Sequence, residues 1–451
     1  MIQVRSDLLI VACCGLLALV GCSRAPATAA TAEADETLPA AGKVTRASDH
    51  LQAISPVYTI DRIYKSMTGP WSNRELRLLE VDKPELLWIT GCQVEMVGAD
   101  GATHMPEQFM CHTNLDFDPD WHNDLFRSET PLDGRLFTLS QGELQIQFPP
   151  GFGIPVLSNE ILDLSTQALN LNVRDRTFDV RHKVDVNFVR DSAAARPMKP
   201  LYERALMGMV SLEDEGRIPD QLLDEAAGDK TEHHAPGRGH AQHQTHEHEA
   251  GPGHASHDGH VSYGPCVSCC VPGQTAIEGY EFNDTLGQRF STHWIIKPGR
   301  EENHTRVTTM MALPFDTTLH FLAVHMHPFA ESLELRDVTA DKSIFKSRIR
   351  NLEGAIGLAE VEYFSSAEGV PVYKDHEYEL VSVYNNTTGQ DQDSMAVMYA
   401  YFLDQNYRGP DPELEHLRQE NTSIEEEDGA PLPERSPAAG ENGPVCNAQG
   451  Q

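Results

Sequence analysis

The sequence predicts an all-β protein: two antiparallel, jelly-roll-like β-sandwich domains joined by a disordered, histidine-rich linker. Three observations carry this reading. Short apolar or alternating runs recur in both halves of the chain, turns rich in Gly, Pro and Asn separate them, and long amphipathic helical periods are nearly absent. Each such strand buries one face and needs a second sheet to cover it, so many short strands at this spacing imply sandwiches.

The elements follow in order. Arg5 precedes the apolar run Leu8 to Val20, which has the length of a signal-peptide core and is too short to span a bilayer. It ends in Leu19-Val20-Gly21-Cys22, the pattern of a bacterial lipoprotein signal over residues 1–22. Cleavage there leaves Cys22 as the new N-terminus with its thiol available for lipid; an ordinary signal peptide with an incidental Cys22 is the competing reading. Ser23, rather than Asp, after the cysteine favours the outer membrane. The expected location is therefore the cell envelope, periplasmic or surface-facing, with the membrane contacted through that lipid. Residues 23–54 read as a tether.

Residues 55–200 form the first expected sandwich, with strands expected at Leu86 to Val97, Gly142 to Phe148, Ala168 to Val173 and Val184 to Val189. Residues 201–274 read as a linker. Within it lie nine histidines among Gly, Pro, Ala and Gln: His233, His234, His240, His243, His246, His248, His254, His257 and His260. No hydrophobic period runs through them, so the segment reads as disordered. Neutral imidazoles at this density bind Zn(II), Cu(II) or Ni(II) loosely; a polar spacer is the plainer alternative. Residues 275–405 form the second sandwich, with strands expected at Thr305 to Ala312, Leu319 to His327, Leu333 to Asp337, Tyr378 to Tyr384 and Ala396 to Leu403. Residues 406–451, including Glu425-Glu426-Glu427-Asp428, read as an acidic disordered tail.

The formal net charge of −33 argues against nucleic acid as a partner, because phosphate binding needs cations. Past Cys22 the cysteines are Cys92, Cys111, Cys266, Cys269, Cys270 and Cys446. In an oxidising compartment their default role is structural disulfides, with a pairing that sequence does not determine. The spacing of Cys266, Cys269 and Cys270 also suits metal thiolates.

The sharpest local signal is Leu322-Ala323-Val324-His325-Met326-His327-Pro328-Phe329. Side chains at i and i+2 of a strand share a face about 6–7 Å apart, so two imidazoles there can converge on one metal ion. Alone, His-x-His is weak, since paired histidines on a solvated strand are commoner than a site. It gains weight from Met395, which opens an alternating strand with Val397, Tyr399 and Tyr401 on the same side. A thioether is a soft ligand that favours Cu(I), whereas imidazole serves both copper oxidation states. His325, His327 and Met395 with an open position thus make a reasonable copper site for dioxygen; a core methionine is the plain reading of Met395.

Residues Phe290 to Leu403 resemble the catalytic domain of the copper type II, ascorbate-dependent monooxygenases, the family of peptidylglycine α-hydroxylating and dopamine β-monooxygenases. The resemblance rests on Ile296-Lys297-Pro298-Gly299, on Leu319 to His327, on Phe364 to Val372, on Val381 to Asn386 and on Asp393-Ser394-Met395. It implies copper at His325, His327 and Met395, a substrate-pocket role for Tyr399, and hydroxylation of a C–H bond with O2 and electrons from a small-molecule reductant of the ascorbate type.

Several departures stand beside it. The stretch between His320 and His325 is about two residues shorter than the family pattern, no arginine stands beside the first ligand, and Val397 replaces a polar asparagine. A glycine-extended peptide substrate is therefore not expected; an uncharged or apolar one is. In the N-terminal half, Cys111-His112 falls where the family has a His-His pair for a second copper, and Asn170-Leu171-Asn172 falls near its third histidine. His112 and Cys111 are thus a possible second metal site, with His104, His122 and His182 as substitutes; Cys111 is either a thiolate ligand or, preferably, the disulfide partner of Cys92. Three functional classes follow: a copper monooxygenase, a copper-binding lipoprotein for sequestration or delivery, and a metal-free double sandwich that binds glycans or proteins.

Overall fold

The longest sheet is one continuous surface that runs through both halves of the chain. In this computed structural model, which describes residues 44–47, 50–128, 130, 132–212, 262–263, 281–283 and 289–411, its strands lie in the order Val44–Ala47, His50–Ile54, Phe178–Arg190, Leu86–Gly98, Phe152–Leu157, Lys199–Met207, Gln392–Leu403, Thr317–Met326, Phe364–Val372. Cys22, the nine linker histidines, Cys266, Cys269, Cys270, Cys446 and the acidic tail beyond residue 411 lie outside the described residues. Neighbouring strands are antiparallel except where Lys199 and Pro200 meet Phe152 and Gly153 in a short parallel contact.

A second sheet, with Pro70–Leu76, Leu162–Ala168, Met110–Phe117 and Arg135–Ser140 in that order, covers the N-terminal part of the long sheet. A third, with Gly299–Arg306, Tyr378–Asn386, Ala330–Asp337, Lys342–Asn351 and Leu358–Val361, covers the C-terminal part. The all-β expectation holds, and the two sandwiches share their long sheet. Two expected boundaries are corrected: the tether expected over 23–54 includes the sheet strands Val44–Ala47 and His50–Ile54, and the linker start expected at 201 falls inside the strand Lys199–Met207, which pairs with Gln392–Leu403 from Leu201↔Leu403 to Met207↔Val397.

Gln392–Leu403 shows why. Met395, Val397, Tyr399 and Tyr401 belong to one core, whereas Ala396, Met398, Ala400 and Phe402 belong to the other. A strand covered on both faces has no polar side to show, hence its unbroken apolar run. Thr317–Met326 runs beside it, with a register irregularity between Leu319 and Phe321. Leu319 packs into one core and Phe321 into the other, although residues two apart on a regular strand share a face. The bulge at His320 therefore reverses the alternation, and places Phe321 and Ala323, and by continuation His325 and His327, on the side of Met395.

Three expected strands are corrected, and the first, Gly142 to Phe148, is strand only over Gln145–Gln147. Thr305 to Ala312 is strand only to Arg306; Thr308–Met311 forms a short helix that ends on Ala312 at φ 41°. Ala168 to Val173 leaves the sheet at Ala168, because the Asn170 side-chain oxygen accepts hydrogen bonds from the backbone of Asn172 (3.2 Å) and Val173 (2.9 Å) and turns the chain.

The halves dock through the turn Ser140–Glu143. Glu143 Oε2 accepts the Val324 amide at 2.7 Å, Gln141 Oε1 accepts the Leu358 amide at 3.1 Å, and the Gly142 carbonyl accepts the Val361 amide at 3.1 Å. Gly142 sits at φ +85°, and a Cβ there would lie 2.8 Å from Val361 Cγ2, so both conformation and space call for glycine.

Candidate metal centre

Three strands bring the site together. His293 is directly opposite Met395 across the pair His293–Ile296 and Gln392–Leu403, and Ile295 is opposite Asp393. On the other edge His325 is opposite Val397 and Met326 is opposite Ala396, so His327 continues that register towards Met395. By alternation His293, His325, His327, Asp393 and Met395 all face the same way.

A cleft of about 200 Å³ opens between the two halves at this face, with His325, His327 and Asp393 in its wall. Cys111, Ser66 and Gln141 line it from the N-terminal half, and Leu169, Phe329 and Ile356 supply apolar wall, with Lys65 and Arg174 also lining it. His325 and His327 are 5 % and 6 % exposed, and their ring centroids are 5.6 Å apart. The His293 ring is 5.6 Å from that of His327, and the His112 ring, on the facing sheet, is 6.4 Å from that of His325. Four imidazoles thus form a row from one half to the other.

His327 Nδ1 lies 3.2 Å from Asp393 Oδ2, and its Nε2 lies 3.3 Å from Ser66 Oγ. Burial works to raise the Asp393 carboxyl, but the hydrogen bond and charge of His327 outweigh it and hold that carboxyl below the ordinary range. Burial drives His325 well down, with His327, His293 and Arg135 adding repulsion, and does the same to His112. Burial pushes His293 to about 4. His325, His112 and His293 are therefore neutral at physiological pH, the form that coordinates metal. Among the described residues, neither ring nitrogen of His325 or His112 has a hydrogen-bond partner, a costly arrangement for buried polar atoms. Unpartnered, unprotonated nitrogens beside a cleft are what a metal-binding imidazole offers, and such donors suit Zn, Cu, Fe or Ni.

The expected ligands His325, His327 and Met395 therefore share a face, and Met395 is fully buried in the core behind the cleft. Tyr384 donates a hydrogen bond to the Met395 carbonyl, which fixes that turn of the backbone. Tyr399 does not line the cleft: it is fully buried between Ala205 and Ala323, with Arg135 nearby, because its strand is covered on both sides. Cys92 and Cys111 are separate buried thiols, which corrects the expected disulfide; Cys92 packs into the core of the long sheet while Cys111 faces the cleft. Burial pushes the Cys111 thiol up to about 12, so it is a thiol and not a thiolate before any metal binds.

Of the substitutes for a second site, His182 bonds Thr113 Oγ1 through Nδ1 at 2.8 Å and lies close enough to His112 to depress it electrostatically. His122 bonds Glu160 at 2.8 Å and stacks on Phe126, and His104 is exposed beside Glu95, so both are otherwise engaged. Sequence reasoning missed His293 altogether and took Asp393 only as part of a turn. Among the described residues, His293, His327 and Asp393 are the one group of His, Cys, Asp or Glu whose donor atoms all lie within 4.8 Å of one another.

No family model and no curated protein matches the chain. Among solved structures, the chain has a distant likeness to a crystal structure of peptide-N(4)-(N-acetyl-β-D-glucosaminyl) asparagine amidase, with TM-score 0.28, 8 % identity, 79 % of this chain covered and 98 % of that one. Recombinant peptide:N-glycanase F gives TM-score 0.27 at 7 % identity, covering 79 % and 97 %. A nodavirus of Macrobrachium rosenbergii gives 0.15 at 8 % identity, covering 84 % and 96 %.

Proposed function

We propose that this protein is a copper-dependent monooxygenase of the bacterial envelope, anchored through lipid on Cys22, that hydroxylates an extracytoplasmic substrate. One observation carries the reading most: His325 and His327 alternate on one strand face beside Met395, with both imidazoles in the wall of a cleft and His325 held neutral by burial. His325, His327 and Met395 would hold the copper, and the copper would supply one-electron chemistry with O2. The overall reaction is R–H, O2, two electrons and two protons giving R–OH and water, with a reductant such as ascorbate as the electron source.

The protein's own residues supply placement. Asp393 accepts the Nδ1–H of His327 and so fixes the tautomer whose Nε2 lone pair turns towards Ser66 and the cleft. The amide of Val324, held by Glu143, ties the strand of His325 to the opposite half. Leu169, Phe329 and Ile356 favour an uncharged or apolar substrate group and displace water from beside the imidazoles.

A copper-binding lipoprotein for sequestration or delivery, without catalysis, is the second reading. It is favoured by His112, which stands beside His325 instead of in a separate three-histidine set for electron delivery. Oxygen uptake separates the two. With copper, ascorbate and a panel of small apolar substrates, a monooxygenase shows substrate-dependent O2 consumption that His325→Ala and His327→Ala lack. Tight copper without any such component supports the carrier. For the anchor, Cys22→Ala should leave the membrane pellet after a high-salt wash; a variant that stays in the pellet contradicts lipidation.

A further inference from the structure

We propose that His293, His327 and Asp393 form a site for a divalent first-row metal ion, built from two imidazoles and one carboxylate. This set is distinct in donor class from His325, His327 and Met395. It shares His327 with the copper site proposed above but uses neither His325 nor Met395, so the two stand or fall on different residues.

The geometry is close to assembled. At metal–ligand distances of about 2.0–2.1 Å, tetrahedral donors sit roughly 3.3 Å apart and adjacent octahedral donors roughly 2.9 Å. His327 Nδ1 and Asp393 Oδ2 are 3.2 Å apart, and the third donor, from His293, completes a group spread over at most 4.8 Å. Drawing it in requires a side-chain adjustment of roughly 1–2 Å, within what rotation about χ1 and χ2 provides. Two imidazoles bound to one ion place their ring centres roughly 5–6 Å apart, and those of His293 and His327 are 5.6 Å apart.

The backbone holds the arrangement. His293 is paired with Met395 and Ile295 with Asp393, so His293 and Asp393 are diagonal neighbours on one face of a two-strand ladder. Ser394 Oγ donates to the Trp294 carbonyl at 2.8 Å and closes the same ladder. Asp393 lines the cleft, which leaves room for water or a substrate atom as a further ligand.

Donor chemistry sets the ion. Nitrogen and carboxylate oxygen select hard or borderline divalent ions, whereas the thioether of Met395 selects Cu(I). His327 would bind this ion through Nδ1 with its proton moved to Nε2 beside Ser66, and copper through Nε2 with its proton on Nδ1, so one ion occupies one set at a time. The site would therefore take Zn(II), Fe(II) or Cu(II), and a soft monovalent ion would be drawn towards His325 and Met395.

The test uses the full chain, stripped of metal and titrated with Co(II) in buffer containing enough free imidazole to outcompete loosely bound histidines. Wild type should bind one Co(II) tightly, with visible d–d bands. His293→Ala and Asp393→Ala should each weaken binding more than about 100-fold, beyond the 10–100-fold that loss of a merely orienting partner costs. His325→Ala and Met395→Leu should change it less than about threefold. Asp393→Asn, which keeps the shape and the contact to His327, guards against misfolding and should shift the d–d bands. Binding unchanged in His293→Ala overturns the proposal. Binding lost in His325→Ala and Met395→Leu but kept in Asp393→Ala overturns it too and leaves the copper reading standing.

Discussion

Replacing Glu143 by Gln should make the protein more stable at neutral pH and flatten its pH dependence. Glu143 is 4 % exposed, one carboxylate oxygen accepts the Val324 amide at 2.7 Å, and the other is buried without a partner. Burial raises its pKa from 4.5 to about 8, against a smaller lowering by the Val324 hydrogen bond. A carboxyl whose folded pKa lies above its unfolded value holds more protons folded than unfolded between the two. Stability therefore falls as pH rises from about 4.5 to about 8 and levels off above that. At 1.36 kcal/mol per unit, the loss is of order 3 kcal/mol at pH 7 and up to about 5 kcal/mol at pH 8. Gln keeps an oxygen for Val324 without the charge, so Glu143→Gln removes that loss. Urea unfolding of metal-free protein at half-unit steps from pH 5 to 8.5 measures it. Asp116 and Glu203 are also raised by burial and slope the same way, so the difference between the two curves isolates Glu143. Parallel curves, or a variant less stable than wild type at pH 8, would refute the reasoning.

Two further outcomes follow from the same structure. Gly142→Ala should destabilise by about 2 kcal/mol or more, because it combines φ +85° with a Cβ 2.8 Å from Val361; thermal unfolding reads this, and a neutral result contradicts the docking role of that turn. Deleting residues 232–260 should lower loosely bound Cu(II) or Zn(II) by equilibrium dialysis and leave one tight copper, since the strand-borne ligands His325, His327 and Met395 are preorganised; loss of all copper would move the site into residues 232–260.

Much of the second half was legible because its strands carry their pattern locally. Leu319 to His327 and Ala396 to Leu403 read as strands, and they are neighbours in the long sheet. The parity of the histidines was readable only from His325 onward, because the bulge at His320 leaves no mark in composition. Thr308–Met311 shows a limit of apolar runs: Thr-Thr-Met-Met suits a short buried helix as well as a strand. His293 was not legible, for it lies 34 residues from His327, and the two meet only because their strands flank Gln392–Leu403 on opposite edges. Asp393 had a signal that went unused, the shared parity with Met395 two residues on. The approach of His112 to His325 is a contact between halves with no local signature at all. The shared sheet was hidden for a similar reason: Lys199–Met207 sits beside the linker in sequence but in the middle of the sheet in space.

The central claim is a copper held by His325, His327 and Met395, and X-ray absorption at the copper edge of the ascorbate-reduced, dialysed protein tests it most directly. The imidazoles of His325 and His327 should contribute nitrogen scattering, and the soft thioether should bind Cu(I). The account predicts one sulfur neighbour in wild type that disappears in Met395→Leu, a change that conserves volume, while the imidazole scattering remains. A wild-type spectrum without sulfur, or a sulfur neighbour that persists in Met395→Leu and disappears in Cys111→Ser, would contradict it.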